Sequence, residues 1–151
     1  MKKSGLLLVA LMAVQYLVSA QPNPVTINVK SVKTGDKTFT VSIVAAVQPG
    51  WHIYSKTQPD DAIAIPTELS FNSNPLVVLK GKLAEVGKLQ TVKDKTLGVS
   101  ANQYANEVSW VQNVELKAKV KTSLTGVIEY QVCDDEKCLP PKKVNFTIPI
   151  K

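Results

Sequence analysis

Short runs of alternating apolar and polar residues cover most of the chain. Val25-Thr26-Ile27-Asn28-Val29 alternates as a half-buried strand does. Between Lys37 and Val47, Phe39, Val41, Ile43 and Ala45 recur at period two. Gln48-Pro49-Gly50 reads as a turn, and Trp51-His52-Ile53-Tyr54 restarts a strand. Thr67–Phe71 is another, closed by Asn72-Ser73-Asn74-Pro75. Leu76–Leu79 and Leu83–Val86 follow. From Glu107 to Val120 the apolar positions fall at Val108, Trp110, Val114, Leu116, Ala118 and Val120, which assigns Trp110 to a core. Val127–Val132 and Val144–Ile150 close the series.

Turn signals recur about every 8–12 residues and no helical period stands out. The pattern predicts an all-β fold, an immunoglobulin-like antiparallel β-sandwich. Two stretches fit it poorly. Lys56–Pro66 reads as a long loop. Leu89–Ala105 is polar, with Asp94-Lys95-Thr96-Leu97-Gly98 at its centre. Long loops in a compact domain are often functional, although ordinary surface connections look the same in sequence.

The N-terminus departs from the strand pattern. Met1-Lys2-Lys3 is a basic start, Leu6–Val18 is apolar apart from Gln15 and Tyr16, and Val18-Ser19-Ala20 suits a small-residue cleavage site. The expectation is a signal peptide over residues 1–20 and one domain over 21–151. The apolar run is shorter than the ~20 residues of a membrane span, so no direct membrane insertion is expected after signal removal. Localisation would then be periplasmic. The chain carries +6 formally, and removing Lys2 and Lys3 lowers that by two. Every basic residue is lysine, and nucleic-acid readers lean on the arginine fork. Lys30, Lys33, Lys37, Lys56, Lys80, Lys82, Lys88, Lys93 and Lys95 are scattered, as on solvated strand faces. No nucleic-acid partner is expected.

Chemistry concentrates in Tyr130-Gln131-Val132-Cys133-Asp134-Asp135-Glu136-Lys137-Cys138-Leu139-Pro140-Pro141, which holds the only two cysteines. A structural zinc site needs about four ligands. Cys133, Cys138 and the single His52 fall short, so no metal and no cofactor are expected. Cysteine–histidine catalysis would depend on His52 alone. Asp134, Asp135 and Glu136 add negative charge beside both sulfurs, which disfavours a thiolate. In an oxidising compartment the pair is a natural disulfide. Strand-forming residues on both sides allow Cys133 and Cys138 to face each other at a hairpin end, where facing Cα atoms lie about 4.5 Å apart. As a staple it closes only six residues, worth roughly 2 kcal/mol by loop entropy. A redox pair and a structural staple both remain open on these grounds.

The cysteine segment resembles the signature of the N-terminal periplasmic domain of DsbD-type thiol:disulfide interchange proteins. That family has a tyrosine–glutamine pair before its first cysteine and two prolines after its second. Gly50-Trp51-His52-Ile53-Tyr54-Ser55-Lys56 resembles the family's glycine-aromatic segment. The resemblance implies an immunoglobulin-like fold and a domain that relays reducing equivalents between partners. By position, Cys138 matches the cysteine that forms mixed disulfides and Cys133 the one that resolves them. Tyr54 and His52 match positions lining the site. Asp94, Lys95, Thr96, Leu97 and Gly98 match a cap loop over the sulfurs.

The sequence departs from that family in its details. The usual spacing has one more residue between the cysteines. The cap stretch lacks the family's phenylalanine, leaving Leu97 or Thr96 to cover the sulfurs. The chain stops at Lys151, so electrons are expected from a separate protein. The implied partners are thioredoxin-like periplasmic proteins and a membrane electron donor. The competing expectation is a non-catalytic immunoglobulin-like binding or assembly module with a structural disulfide, using aromatics such as Trp51, Tyr54, Tyr104 or Trp110.

Overall fold

Strands that each bury one face assemble into two antiparallel sheets. The structure is a computed structural model that describes residues 23–151, so the expected signal segment over residues 1–20 lies outside the described residues. The strands are β1 (Val25–Lys33), β2 (Thr38–Val47), β3 (His52–Tyr54), β4 (Glu68–Phe71), β5 (Val77–Lys93), β6 (Ser100–Leu116), β7 (Thr122–Tyr130), β8 (Val132–Cys133) and β9 (Lys142–Ile150). One sheet has the order β1-β2-β6-β3-β8, with β5 on the other edge of β6, and the second has the order β4-β7-β9. The architecture is an immunoglobulin-like β-sandwich. No helix of the described residues is long and apolar enough to cross a membrane.

The period-two residues of β2 all lie in the core: Phe39, Val41, Ile43 and Ala45 are buried together with Leu124, Ile128, Phe146, Ile148 and Ile150 of the second sheet. Each large apolar side chain buried this way contributes roughly 1.5–3 kcal/mol. Trp110 is fully buried, as its strand position predicts. Close approach of the smaller sheet's strands requires Gly126. A Cβ there would run into the Ser70 carbonyl oxygen and the Phe146 ring.

The expectation for Leu89–Ala105 needs correction. The stretch is two strand arms rather than a loop, and only residues 94–99 turn between them. The β5 arm is exposed along its length, so no buried face imposes an alternating pattern on the sequence. Its register comes from the backbone ladder pairing Leu89–Lys93 with Ser100–Tyr104, and from Thr91 donating to Asn102 Oδ1 at 2.7 Å. Leu76–Leu79 and Leu83–Val86 likewise belong to one strand, interrupted by a register shift between Lys80 and Ala84 that contains Gly81 at φ 70°. Beyond Leu116 the expected strand ends, and Val120 is exposed. Lys56–Pro66 is irregular, as expected.

One irregularity places the cysteine region. β6 pairs β2 through Glu107–Glu115 and then pairs β3 through Gln103–Ala105 along the same edge. Asn106, at φ 67°, occupies the change of partner. The handover lets the three-residue β3 join the large sheet and carry β8 on its free edge, with His52 opposite Cys133 and Ile53 opposite Val132.

Candidate functional site

Cys133 and Cys138 close a tight hairpin beyond β7 and are disulfide-bonded, with Cα atoms 4.0 Å apart. Two backbone bonds frame the turn: the Asp134 N–H donates to the Lys137 carbonyl and the Leu139 N–H to the Val132 carbonyl, both at 2.9 Å. The Asp134 carboxylate accepts the Glu136 N–H at 2.8 Å and the Lys137 N–H at 2.7 Å. These backbone donors, Glu136 first, hold the Asp134 carboxyl below the usual carboxylate range. Gln131 adds a side-chain bond to the Leu139 carbonyl at 3.2 Å, fixing the segment that leads into Pro140-Pro141.

The two sulfurs differ in access. Cys133 is 2% exposed, whereas Cys138 is exposed to solvent. Tyr54 bridges the pair: its hydroxyl lies 3.3 Å from Cys133 Sγ and 3.9 Å from Cys138 Sγ. A disulfide sulfur carries no hydrogen, so the hydroxyl is the donor to both. Burial pushes the Tyr54 phenol up, which keeps that proton in place. His52 stands edge-on to the Tyr54 ring, 5.7 Å between centroids. Burial pulls the His52 imidazole down, opposed by the charges of Asp135 and Asp134.

Tyr54 and His52 therefore meet the cysteine hairpin through one short strand. The expected cap residues sit differently. Asp94 and Leu97 line an open groove of about 300 Å³ together with His52, Tyr54, Ile63, Asp134 and Asp135, and neither cysteine is among its lining residues. Leu97 is 62% exposed and Ile63 72%. Lys95, Thr96 and Gly98 form the exposed tip of the β5–β6 turn, where Asp94 Oδ1 accepts the Thr96 and Leu97 N–H groups at 2.7 and 2.9 Å. Gly98 takes φ 72°, which favours glycine. Among the described residues no group of three or more His, Cys, Asp or Glu side chains could hold a metal ion.

Sequence reasoning missed the groups behind β3. Thr67 donates to the Tyr54 carbonyl at 2.6 Å. Gln58 donates to the Ser55 and Asn102 carbonyls at 2.9 and 2.8 Å and accepts the Asn102 N–H at 2.9 Å. Glu85 gathers donors from Ser55, Lys56, Tyr104 and Trp110. One signal was available: period two counted from Leu83 puts the Glu85 carboxylate on the same strand face as an apolar side chain.

Residues 19–149 match the protein family described as thiol:disulfide interchange protein DsbD, N-terminal. No curated protein sequence matches significantly. Among solved structures, the Neisseria meningitidis DsbD N-terminal domain in the reduced form aligns with TM-score 0.52 at 17% identity, covering 83% of this chain and 84% of that one. The N-terminal periplasmic domain of ScsB from Proteus mirabilis aligns with TM-score 0.56 at 11% identity, covering 85% of this chain and 47% of that one. At these identities the likeness establishes the shared fold.

Proposed function

Since the chain belongs to the family of the DsbD N-terminal domain, we propose that it is an extracytoplasmic thiol:disulfide exchange domain whose redox pair is Cys133 and Cys138. The observation that carries the reading is the unequal access of two bonded sulfurs. Thiolate attack needs an open line to one sulfur and a stabilised leaving group at the other. Cys138 offers the first, and Cys133, buried against the Tyr54 hydroxyl, offers the second.

A partner thiolate attacks Cys138 Sγ. The Cys133–Cys138 bond breaks, its electron pair stays on Cys133 Sγ, and the partner is joined to Cys138 as a mixed disulfide. A second partner thiolate then attacks the partner sulfur of that bond and releases Cys138 as a thiolate. Two electrons have entered the domain and the partner has gained a disulfide. The same steps reversed pass them to a second protein. Tyr54 donates its hydrogen bond to the Cys133 thiolate as charge develops there. The acidic turn of Asp134, Asp135 and Glu136 disfavours thiolates in the free reduced domain, so exchange is fast only with a partner that brings its own activated cysteine.

The partners this chemistry fits are thioredoxin-like proteins and a membrane electron donor, with residues 21–151 acting as one periplasmic domain. Trapping tests the reading. A Cys133→Ala variant is mixed with a thioredoxin-fold protein whose single remaining cysteine is activated as a mixed disulfide with thionitrobenzoate. The expected result is a covalent complex through Cys138 and none from Cys138→Ala. Complex formation by neither variant overturns the exchange role and favours a binding module with a structural disulfide. Complex formation through Cys133 alone reverses the assigned roles.

A further inference from the structure

We propose that Glu85 is a positioning residue of the disulfide site, holding the Tyr54 hydroxyl against the two sulfurs from the opposite side of β3. The role rests on the exchange reading only for its biological meaning. Its geometry stands on hydrogen bonds alone.

Side chains alternate along β3 and into Ser55. Ile53 and Ser55 are buried, while His52 and Tyr54 line the groove beside the cysteine hairpin. β3 has three residues and sits where β6 changes partner, so its own ladder fixes Tyr54 through few bonds. The Thr67 hydroxyl holds the Tyr54 carbonyl at 2.6 Å, and the rest of the restraint comes from the residues that follow. The Ser55 hydroxyl donates to Glu85 Oε2. The Lys56 N–H donates to Glu85 Oε1 at 3.0 Å. Trp110 Nε1–H donates to the same oxygen at 2.9 Å, and the Tyr104 hydroxyl reaches Oε2 at 3.3 Å. Each carboxylate oxygen thus takes two donors. Two of the four come from the core aromatics Trp110 and Tyr104, and two from the residues immediately after Tyr54.

An ionised carboxylate is the one side-chain group of this size that only accepts, with about four lone-pair sites. Glutamine would turn an NH₂ group toward two donors, and alanine would leave all four without a partner. The close approach of Tyr104 is itself built in: a Cβ on Gly87 would stand 3.0 Å from Tyr104 Cδ1, so glycine at 87 lets that ring lie over β5 beside Glu85. The carboxylate therefore ties the backbone of Tyr54 to the rigid Trp110 core. Without that tie the hydroxyl no longer has one fixed place at the sulfurs.

A double-mutant cycle on disulfide reduction by dithiothreitol tests the proposal, using the full chain at a temperature where every variant is folded. In the wild-type background, Tyr54→Phe slows reduction by about tenfold, the loss of one hydrogen bond to a developing thiolate. In the Glu85→Gln background the same Tyr54→Phe step is expected to change the rate by less than about twofold, because the hydroxyl has already lost its place. An undiminished tenfold ratio overturns the proposal and leaves Glu85 a stability element only. A ratio near one in the wild-type background overturns it as well. Should Glu85→Gln fail to fold, Ser55→Ala, which removes a single donor, decides instead: the ratio falls if the proposal holds and stays at tenfold if it does not. Dithiothreitol reduces any accessible disulfide. Collapse of the ratio in a domain that forms no complex in the trapping experiment therefore supports the Glu85 role while refuting the exchange reading.

Discussion

Replacing Tyr54 by Phe removes one oxygen and keeps the ring, so access to the sulfurs and the edge-on contact with His52 are retained. What changes is the donor 3.3 Å from Cys133 Sγ. In the oxidised protein that sulfur is a weak neutral acceptor, so the native state loses at most about 1 kcal/mol. During reduction a negative charge builds on Cys133, and hydrogen bonds to charged groups are worth about 1.5–3 kcal/mol. Each 1.36 kcal/mol is a factor of ten in rate, which gives roughly ten- to hundredfold. The donor is long and divided between two sulfurs, since Cys138 Sγ lies 3.9 Å away, which selects the lower end. The expected outcome is a domain of nearly wild-type melting temperature whose disulfide is reduced about tenfold more slowly. Pseudo-first-order reduction by excess dithiothreitol, followed through the appearance of free thiol, gives the rate, and circular dichroism gives the melting temperature. Reduction of Tyr54→Phe within twofold of wild type, or faster, would refute the assignment of the hydroxyl to the leaving sulfur.

Two further outcomes follow from the same geometry. The Asp134 carboxyl is held below its ordinary value of 3.8 in the fold, so the stability it contributes is fully present above that value and is lost as pH falls through the lower folded one. The difference in thermal stability between wild type and Asp134→Asn should accordingly be present near pH 6 and shrink near pH 2.5, and a difference independent of pH contradicts the turn-capping role. Gly126→Ala drives a methyl group into the Ser70 carbonyl and the Phe146 ring and should lower stability by about 2 kcal/mol in urea denaturation, with the rate of disulfide reduction unchanged; an unchanged denaturation midpoint would show that β4 can move aside at no cost.

The sandwich was legible wherever one strand face is buried. Phe39, Val41, Ile43 and Ala45 carry their period because each enters the core, and Trp110 was assignable for the same reason. Leu89–Ala105 was not, because its β5 arm has no buried face, and exposed Leu89 and Val92 carry no periodic signal. Gln112 is buried within an otherwise apolar alternation, satisfied by its amide donating to the Lys80 and Asn113 carbonyls, and nothing local in sequence announces those partners. The cysteine pair stood out through its segment's chemistry, and Tyr54 through the family resemblance of the Gly50–Lys56 segment. Glu85 did not, since its four donors come from the two residues after β3 and from β6, brought together by the register of the sheet.

Measured against glutathione or dithiothreitol buffers, the reduction potential of the Cys133–Cys138 bond separates a working redox couple from a staple. A potential above about −300 mV, in the range where thiol–disulfide carriers trade electrons, is the expected result; a value well below that, as structural disulfides of secreted proteins show, would contradict the exchange function.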